Sequence, residues 1–227
     1  MKAVNTSLVF SYLELRQAIG YLGIALPIVV WLGGALLFHL GIQSSISSYY
    51  RTDMRDVFVG TLCAIGVFML SYKGYDRRDD IAGDFACLFA IGVAFFPSAP
   101  ADHPSASEQV IGNIHLVSMA LFFVTLMYFS LFLFTKTSGV VAPTPRKLQR
   151  NKVYKTCGYL MGVALLCILV HRVLPRHAQD ALRAFTPVFW LEAFAITTFG
   201  VSWLTKGEAI LKDITPAPRP PLPRPVL

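Results

Sequence analysis

Charged side chains are scarce in this chain. Asp, Glu, Lys and Arg make up only 15% of its 227 residues, and thirteen acidic residues stand against twenty basic ones. Hydrophobic residues reach 55%, a composition far from that of a soluble domain. The apolar residues come in long blocks, which indicates that lipid, rather than a soluble core, surrounds them.

Cysteine is also scarce, and no CxxC pair occurs. Cys63, Cys87, Cys157 and Cys167 all fall inside apolar blocks. This arrangement favours neither a disulfide framework nor a structural zinc site. The first apolar block is long and no small-residue cleavage site follows it, so we expect no cleavable signal peptide.

Six apolar blocks are candidates for membrane spans, because a bilayer needs about 20 apolar residues per helix. They cover residues 21–41, 57–72, 81–97, 111–135, 156–174 and 184–205. The second and third are short and extend into polar flanks. The sequence therefore predicts an all-α integral membrane protein, a bundle of six transmembrane helices that forms one domain over residues 1–210. Residues 211–227 are proline-rich with PxxP spacing, which predicts a disordered tail able to bind a cytoplasmic partner.

The excess of basic residues follows the membrane pattern. If the N-terminus lies inside, fifteen of the twenty Lys and Arg residues fall on the inner side and five on the outer side. Both termini are then cytoplasmic, and we expect a multi-pass protein of a bacterial inner membrane. Lipids are the expected partners, and nucleic acid, which a basic soluble chain would suggest, is not.

The hinge between the first two blocks, residues 41–56, has the sequence GIQSSISSYYRTDMRD. Its serines, Thr52 and Asp53 are suited to capping helices. Capping does not explain why Arg51, Asp53, Arg55 and Asp56 bring so much paired charge to so short a loop. The hinge is therefore the first place to expect a polar site.

Four of the six blocks carry an ionisable group toward the same outer boundary. These are His39, Asp53 with Asp56, His115 and Glu192. Imidazoles and carboxylates at one depth can support acid/base chemistry or hold a metal. Glu192, about 12 Å into the last block at 1.5 Å per residue, needs a partner in lipid.

Several interpretations of these groups stay open. His39, His115 and Glu192 could hold zinc, although no pair has metal-motif spacing. Ser47, one of four hinge serines, could be a nucleophile activated by His115. A single haem between histidines such as His39, His115 and His171 is conceivable. The remaining alternative is a buried hydrogen-bond network that fixes helix packing.

The order of motifs resembles a known family. An Ile46-Ser47 hinge precedes an Arg/Asp start to the second block, the third block ends at residues 95–97 (FFP), and the fourth opens at residues 114–128 (IHLVSMALFFVTLMY). Over about residues 20–135 this resembles the six-helix membrane family of damage-regulated autophagy modulators (DRAM) and GPI-anchor lipid-remodelling factors, with its small bacterial relatives. The proline-and-glutamate signature that eukaryotic members carry after the serine is absent. The resemblance implies a lipid-associated role at the luminal or periplasmic side.

Three functions follow from these observations. The first is a lipid-modifying or lipid-remodelling protein, such as a lipid hydrolase or transferase. The second is a non-enzymatic lipid-binding or regulatory membrane protein, and the third is a small-solute transporter. In the first, the catalytic candidates are Ser47, Asp53, Asp56, His115 and Glu192. The side chains expected to bind the substrate headgroup are Tyr50, Arg51 and Arg55.

Overall fold

A computed structural model describes residues 6–72, 74, 76–100, 103–137 and 143–212, with side chains from residue 12 onward. Within these ranges the chain is helical and contains no strand. The α-helices are α1 (Thr6–Ile28), α2 (Gly34–Phe38), α3 (Arg55–Leu70), α4 (Arg77–Phe95), α5 (Ala106–Tyr128), α6 (Pro145–Val173), α7 (Arg176–Leu182) and α8 (Pro187–Lys206). The predicted proline-rich tail lies beyond residue 212, outside the described residues.

Two of the long helices contain a π turn. Pro27 lies inside α1, and the π segment Val29–Gly33 follows it and continues directly into α2. Proline lacks a backbone N–H and so removes one helical hydrogen bond, yet the helix continues past Pro27. A second π segment, Phe129–Leu133, continues α5.

Four helices are long and apolar enough to cross a membrane. They cover Tyr12–Phe38, Ala106–Leu133, Pro145–Val173 and Pro187–Lys206. The other two predicted blocks are also helical, as α3 and α4. At 1.5 Å per residue the 16 residues of α3 span only about 24 Å. The first turn of α4 consists of four charged residues, Arg77, Arg78, Asp79 and Asp80. With these charges α4 does not reach the hydropathy of the four membrane-length helices.

The helices pack as antiparallel neighbours. α3 lies against α4, α4 against α5, and both α1 and α6 lie against α8. The contact of α1 with α8 is very close, because a Cβ built on Gly200 would lie 2.6 Å from the carbonyl oxygen of Gly20. Gly158 and Gly162, which have GxxxG spacing, face Leu131 and Met127 of the same chain.

This arrangement gives the bundle two polar ends. At one end, called the hinge end below, the hinge contacts Glu192 near the start of α8 and also contacts Ser98. At the opposite end the Nε2 group of Gln17 donates to the carbonyl of Gly207, and Lys136 contacts Asp76 and Asp79. A buried aromatic cluster that includes Tyr72, Phe134 and Trp203 lies beneath that opposite end.

Candidate functional site

The hinge is compact. A 3₁₀ helix covers Ser47–Arg51, and the Ser48 hydroxyl is hydrogen-bonded to the hydroxyls of Ser44 (2.9 Å) and Ser45 (2.7 Å). Thr52 accepts a hydrogen bond from the N–H of Met54 just before α3 begins. The serines therefore hold the hinge in shape, which is the local role that short hydroxyl side chains have in turns.

Glu192 anchors this hinge to the last helix. Its Oε2 atom accepts the backbone N–H of Ile46 at 2.8 Å and that of Ser47 at 3.4 Å. The side chain is buried, with 6% of its surface exposed. Because α8 begins at Pro187 and not at residue 184, Glu192 lies only about 7.5 Å along the helix. The predicted need for a partner is met by backbone N–H groups of the hinge.

A small cavity adjoins this carboxylate. Ser47 and Glu192 are its polar lining residues, and the rest are apolar: Leu26, Ile46, Phe58, Leu62, Val93, Met119, Phe122, Phe123 and Ile196. The cavity volume is about 30 Å³, room for about two waters. The structure thus brings two of the predicted catalytic residues, Ser47 and Glu192, to one buried place.

His115 lies in a different environment. Its Nδ1 atom is 2.6 Å from the carbonyl oxygen of Phe96, the residue that ends α4, and its side chain is buried. A carbonyl only accepts, so Nδ1 carries the hydrogen and donates. In the described part of the chain no hydrogen bond or ion pair joins His115 to Glu192. The imidazole therefore satisfies a carbonyl at the end of a helix.

Arg51 links the hinge to the loop before α5. Its Nε and Nη2 atoms donate to the carbonyl of Ser98, at 3.3 and 3.0 Å, and Nη1 lies 3.8 Å from Glu108 Oε1. Glu108 and Ser105 form a capping box at the start of α5. The Ser-x-x-Glu spacing at residues 105–108 could have revealed this N-terminus in the sequence.

A groove opens on the surface between the start of α3 and the end of α4. Tyr50, Arg55 and Asp56 line its polar part, and Val59, Gly60, Ala94 and Phe95 line its apolar part. Arg55 lies over the Tyr50 ring, with Cζ 4.4 Å from the centroid, and its Nη2 atom donates to the Tyr50 hydroxyl at 2.7 Å. Two of the three predicted headgroup-binding residues therefore share one groove, and Arg51 lies outside its lining.

The remaining predicted residues are not gathered with Glu192. His39, Asp53 and Asp56 are exposed, and His39 ends α2 in a left-handed conformation (φ 55°). In the ranges that the structure describes, no three His, Cys, Asp or Glu side chains form a group able to hold a metal ion. His39, His115 and Glu192 thus do not form the common ligand set considered for zinc.

Fold and site together have the features of a helical membrane protein with a polar end built around the hinge. Comparison with protein-family models, with curated proteins and with solved structures finds no match to this chain. The resemblance to the DRAM and GPI-remodelling family stays a prediction.

Proposed function

We propose that this chain is a lipid-binding protein of the membrane, with the groove between α3 and α4 as its lipid site. The observation that carries the proposal is the order of side chains along that groove. Arg55 and Asp56 begin α3, Val59 and Gly60 follow one turn along the same helix, and Phe95 at the end of α4 adds a further apolar side chain. A phospholipid has the same order of polar headgroup and acyl chain.

Arg55 and Asp56 suggest which headgroup fits. Arg55 is held against Tyr50 and is exposed, so its guanidinium can donate to a lipid phosphate, the anion to which its fork geometry is matched. Asp56, exposed on the next position of the helix, can accept from an ammonium or hydroxyl group beyond that phosphate. This pairing favours a glycerophospholipid with an amine or a hydroxyl in its headgroup.

The membrane setting is part of the same proposal. We infer that α3 and α4 cross as a packed pair, which completes six spans with cytoplasmic termini in a bacterial inner membrane. The distribution of fifteen inner and five outer basic residues supports this orientation. The hinge end then lies at the outer leaflet, where the groove opens beside lipid headgroups.

Gly60 allows a sharp test of the groove. Gly60 lines the groove, and a Cβ at this position meets no atom within 4 Å, so Gly60→Leu adds a side chain to the groove from an open position. We expect the purified Gly60→Leu protein to fold and to retain at least five times less phosphatidylethanolamine than the wild type, as measured by native mass spectrometry. Arg55→Gln should weaken the same retention by removing the phosphate ligand.

Gly41→Leu is the matched control, because Gly41 also has open space around its Cβ position and lies outside the groove. It should retain lipid as the wild type does. Equal retention by the wild-type and Gly60→Leu proteins would contradict a lipid site in this groove.

A second candidate function, lipid modification, is favoured by a separate observation. Ser47 and Glu192 line the same buried cavity, and a hydroxyl beside a carboxylate can serve acyl transfer. Ser47→Ala and Glu192→Gln keep the size of each side chain nearly unchanged. If the protein modifies lipid there, both variants should change the lipid profile of cells, whereas Gly41→Leu should not. An unchanged profile in folded Ser47→Ala protein would exclude Ser47 as the nucleophile.

A further inference from the structure

At the opposite end of the bundle, three helices bring four cationic side chains together. Arg16 comes from α1, Lys147 and Arg150 come from α6, and Lys206 ends α8. The charges of Arg16, Lys147 and Arg150 all act on the ammonium group of Lys206. These four residues are called the basic cluster below. Its members come from distant parts of the chain, so the fold itself assembles it.

The basic cluster lies partly inside the bundle. Arg150 is only 8% exposed, and Arg16 and Lys206 are half-buried. The Arg16 guanidinium lies 4.1 Å above the Tyr12 ring and 5.4 Å from the Tyr72 centroid. Lys206 Nζ lies 5.2 Å from the centroid of Phe134. Arg16 and Lys206 therefore make cation–π contacts with aromatic rings of the bundle.

Carboxylates contact some of the cations at this end. Lys136 is a fifth cation, and its ammonium lies 3.1 Å from Asp76 and 2.9 Å from Asp79. Glu208 lies 3.2 Å from Arg150. Asp79 also acts on the Lys206 ammonium, with a sign opposite to that of the three cations. Like charges held together in partly desolvated positions repel each other, and a bound anion removes that repulsion.

Arg16 adds an independent observation. Its Nε atom is buried and has no hydrogen-bond acceptor among the described residues. The Tyr12 and Tyr72 rings contact its guanidinium, so the Nε–H group is a donor that no described residue accepts. Unlike a solvated lysine on a loop, this arginine is fixed in place before any ligand arrives.

We propose that the basic cluster binds a phosphate-class anion between α1, α6 and α8. The phosphate belongs either to an anionic lipid of the adjacent leaflet or to a small soluble phosphate. Basic pockets between membrane helices are known to accept anionic lipid headgroups, and guanidinium groups match phosphate oxygens. The proposal does not depend on the groove between α3 and α4, which lies at the hinge end.

The test uses the full-length protein in detergent, with thermal unfolding and native mass spectrometry as readouts. Three additives are compared: phosphatidylglycerol, phosphatidylcholine and inorganic phosphate. We expect phosphatidylglycerol to stabilise the protein and to remain bound, while phosphatidylcholine does neither. If inorganic phosphate stabilises the protein equally at millimolar concentration, the site takes free phosphate. Failure of both anions to stabilise the protein would overturn the proposal.

Arg16→Gln and Lys206→Met each remove one charge of the basic cluster. Each should weaken anion binding roughly fivefold, the fold-change that corresponds to about 1 kcal/mol per charge at a membrane surface. Lys152→Gln and Lys155→Gln are matched controls, because both lysines are exposed on α6. An equal loss in these controls would mean general attraction to basic surface and would contradict a site.

Arg55→Gln separates this proposal from the proposed function. It should leave anion binding at the basic cluster unchanged while it weakens phosphatidylethanolamine retention in the groove. Because Arg16→Gln keeps a polar side chain with an N–H donor at this position, it should fold even if Lys206→Met does not. The binding comparison then rests on Arg16→Gln and the two lysine controls.

Discussion

The carboxylate of Glu192 accepts the backbone N–H of Ile46 at 2.8 Å, across 146 residues of sequence. This bond fixes the start of the 3₁₀ helix of the hinge to α8. The backbone N–H of Ser47 donates to the same oxygen of Glu192, at 3.4 Å. A carboxylate at the N-terminus of a short helix stabilises the unpaired N–H groups there. The only acid inside α8 is therefore part of what holds the hinge to the bundle.

Glu192→Ala should destabilise the protein, because it leaves two buried backbone donors without an acceptor. The expected loss in the free energy of unfolding is about 2 kcal/mol. Glu192→Gln keeps an acceptor oxygen and should lose less. Thermal unfolding in detergent measures both. Asp53→Ala, which removes an exposed acid from the same hinge, should be nearly neutral, and a loss equal to that of Glu192→Ala would contradict the anchoring role.

His115 can be tested for a structural role by comparing two substitutions. Asn can place its Nδ2 donor close to the position of the His115 Nδ1 atom, so His115→Asn should keep the hydrogen bond to the Phe96 carbonyl. His115→Leu removes it and should cost about 1–2 kcal/mol of stability. If the role of His115 is only to bond the carbonyl at the end of α4, cells that carry the His115→Asn protein should keep the wild-type lipid profile. A changed profile in stable His115→Asn protein would instead indicate acid/base chemistry.

Glycine positions allow a test of the close contact between α1 and α8. The Cβ of Gly200→Ala would lie 2.6 Å from the backbone oxygen of Gly20, so the helices must separate. We expect a loss of about 1–3 kcal/mol, typical of overpacking. Gly60→Ala meets no atom within 4 Å and should be neutral or stabilising by up to about 1 kcal/mol. Equal effects of the two substitutions on thermal unfolding would contradict the described packing.

Hydrophobic patterning was sufficient to predict an all-helical chain. These apolar blocks are too long for barrel strands, so helices are the structure expected of them in lipid, and a helix occupies each of the six predicted blocks. Four of those helices meet the length and hydropathy needed to cross a membrane. For α3 and α4, the polar ends decide whether they cross, and sequence pattern alone does not resolve that question.

The candidate site was harder to predict because its contacts join backbone groups to distant side chains. The sequence predicts that Glu192 needs a partner, but nothing in it identifies the N–H of Ile46 as that partner. Likewise, the partner of His115 is the carbonyl of Phe96. Depth in the membrane can be estimated from position along a helix. Which way each side chain points depends on helix rotation, and the apolar pattern fixes this only loosely.

The Lys136 ammonium joins the start of α4 to the end of α5, and it makes stability depend on pH. Its hydrogen bond to Asp76 lowers the pKa of that carboxyl, and backbone N–H groups add to the effect. A lowered native pKa means that the stabilisation is present above the unfolded-state pKa, about 3.9. It is lost as pH falls through the native pKa. The wild-type protein should therefore lose stability below about pH 4.

Lys136→Met should change both the stability and its pH dependence. At neutral pH it takes the ammonium from Asp79, which is 1% exposed, and we expect a loss of about 2 kcal/mol. The loss of stability on acidification should also be smaller than in the wild type, because Asp76 no longer has a charged donor that favours its ionised form. Lys155→Met, an exposed position on α6, should keep both the stability and the acid dependence. An unchanged slope between pH 3 and pH 5 in Lys136→Met would show that this ion pair does not cause the acid sensitivity.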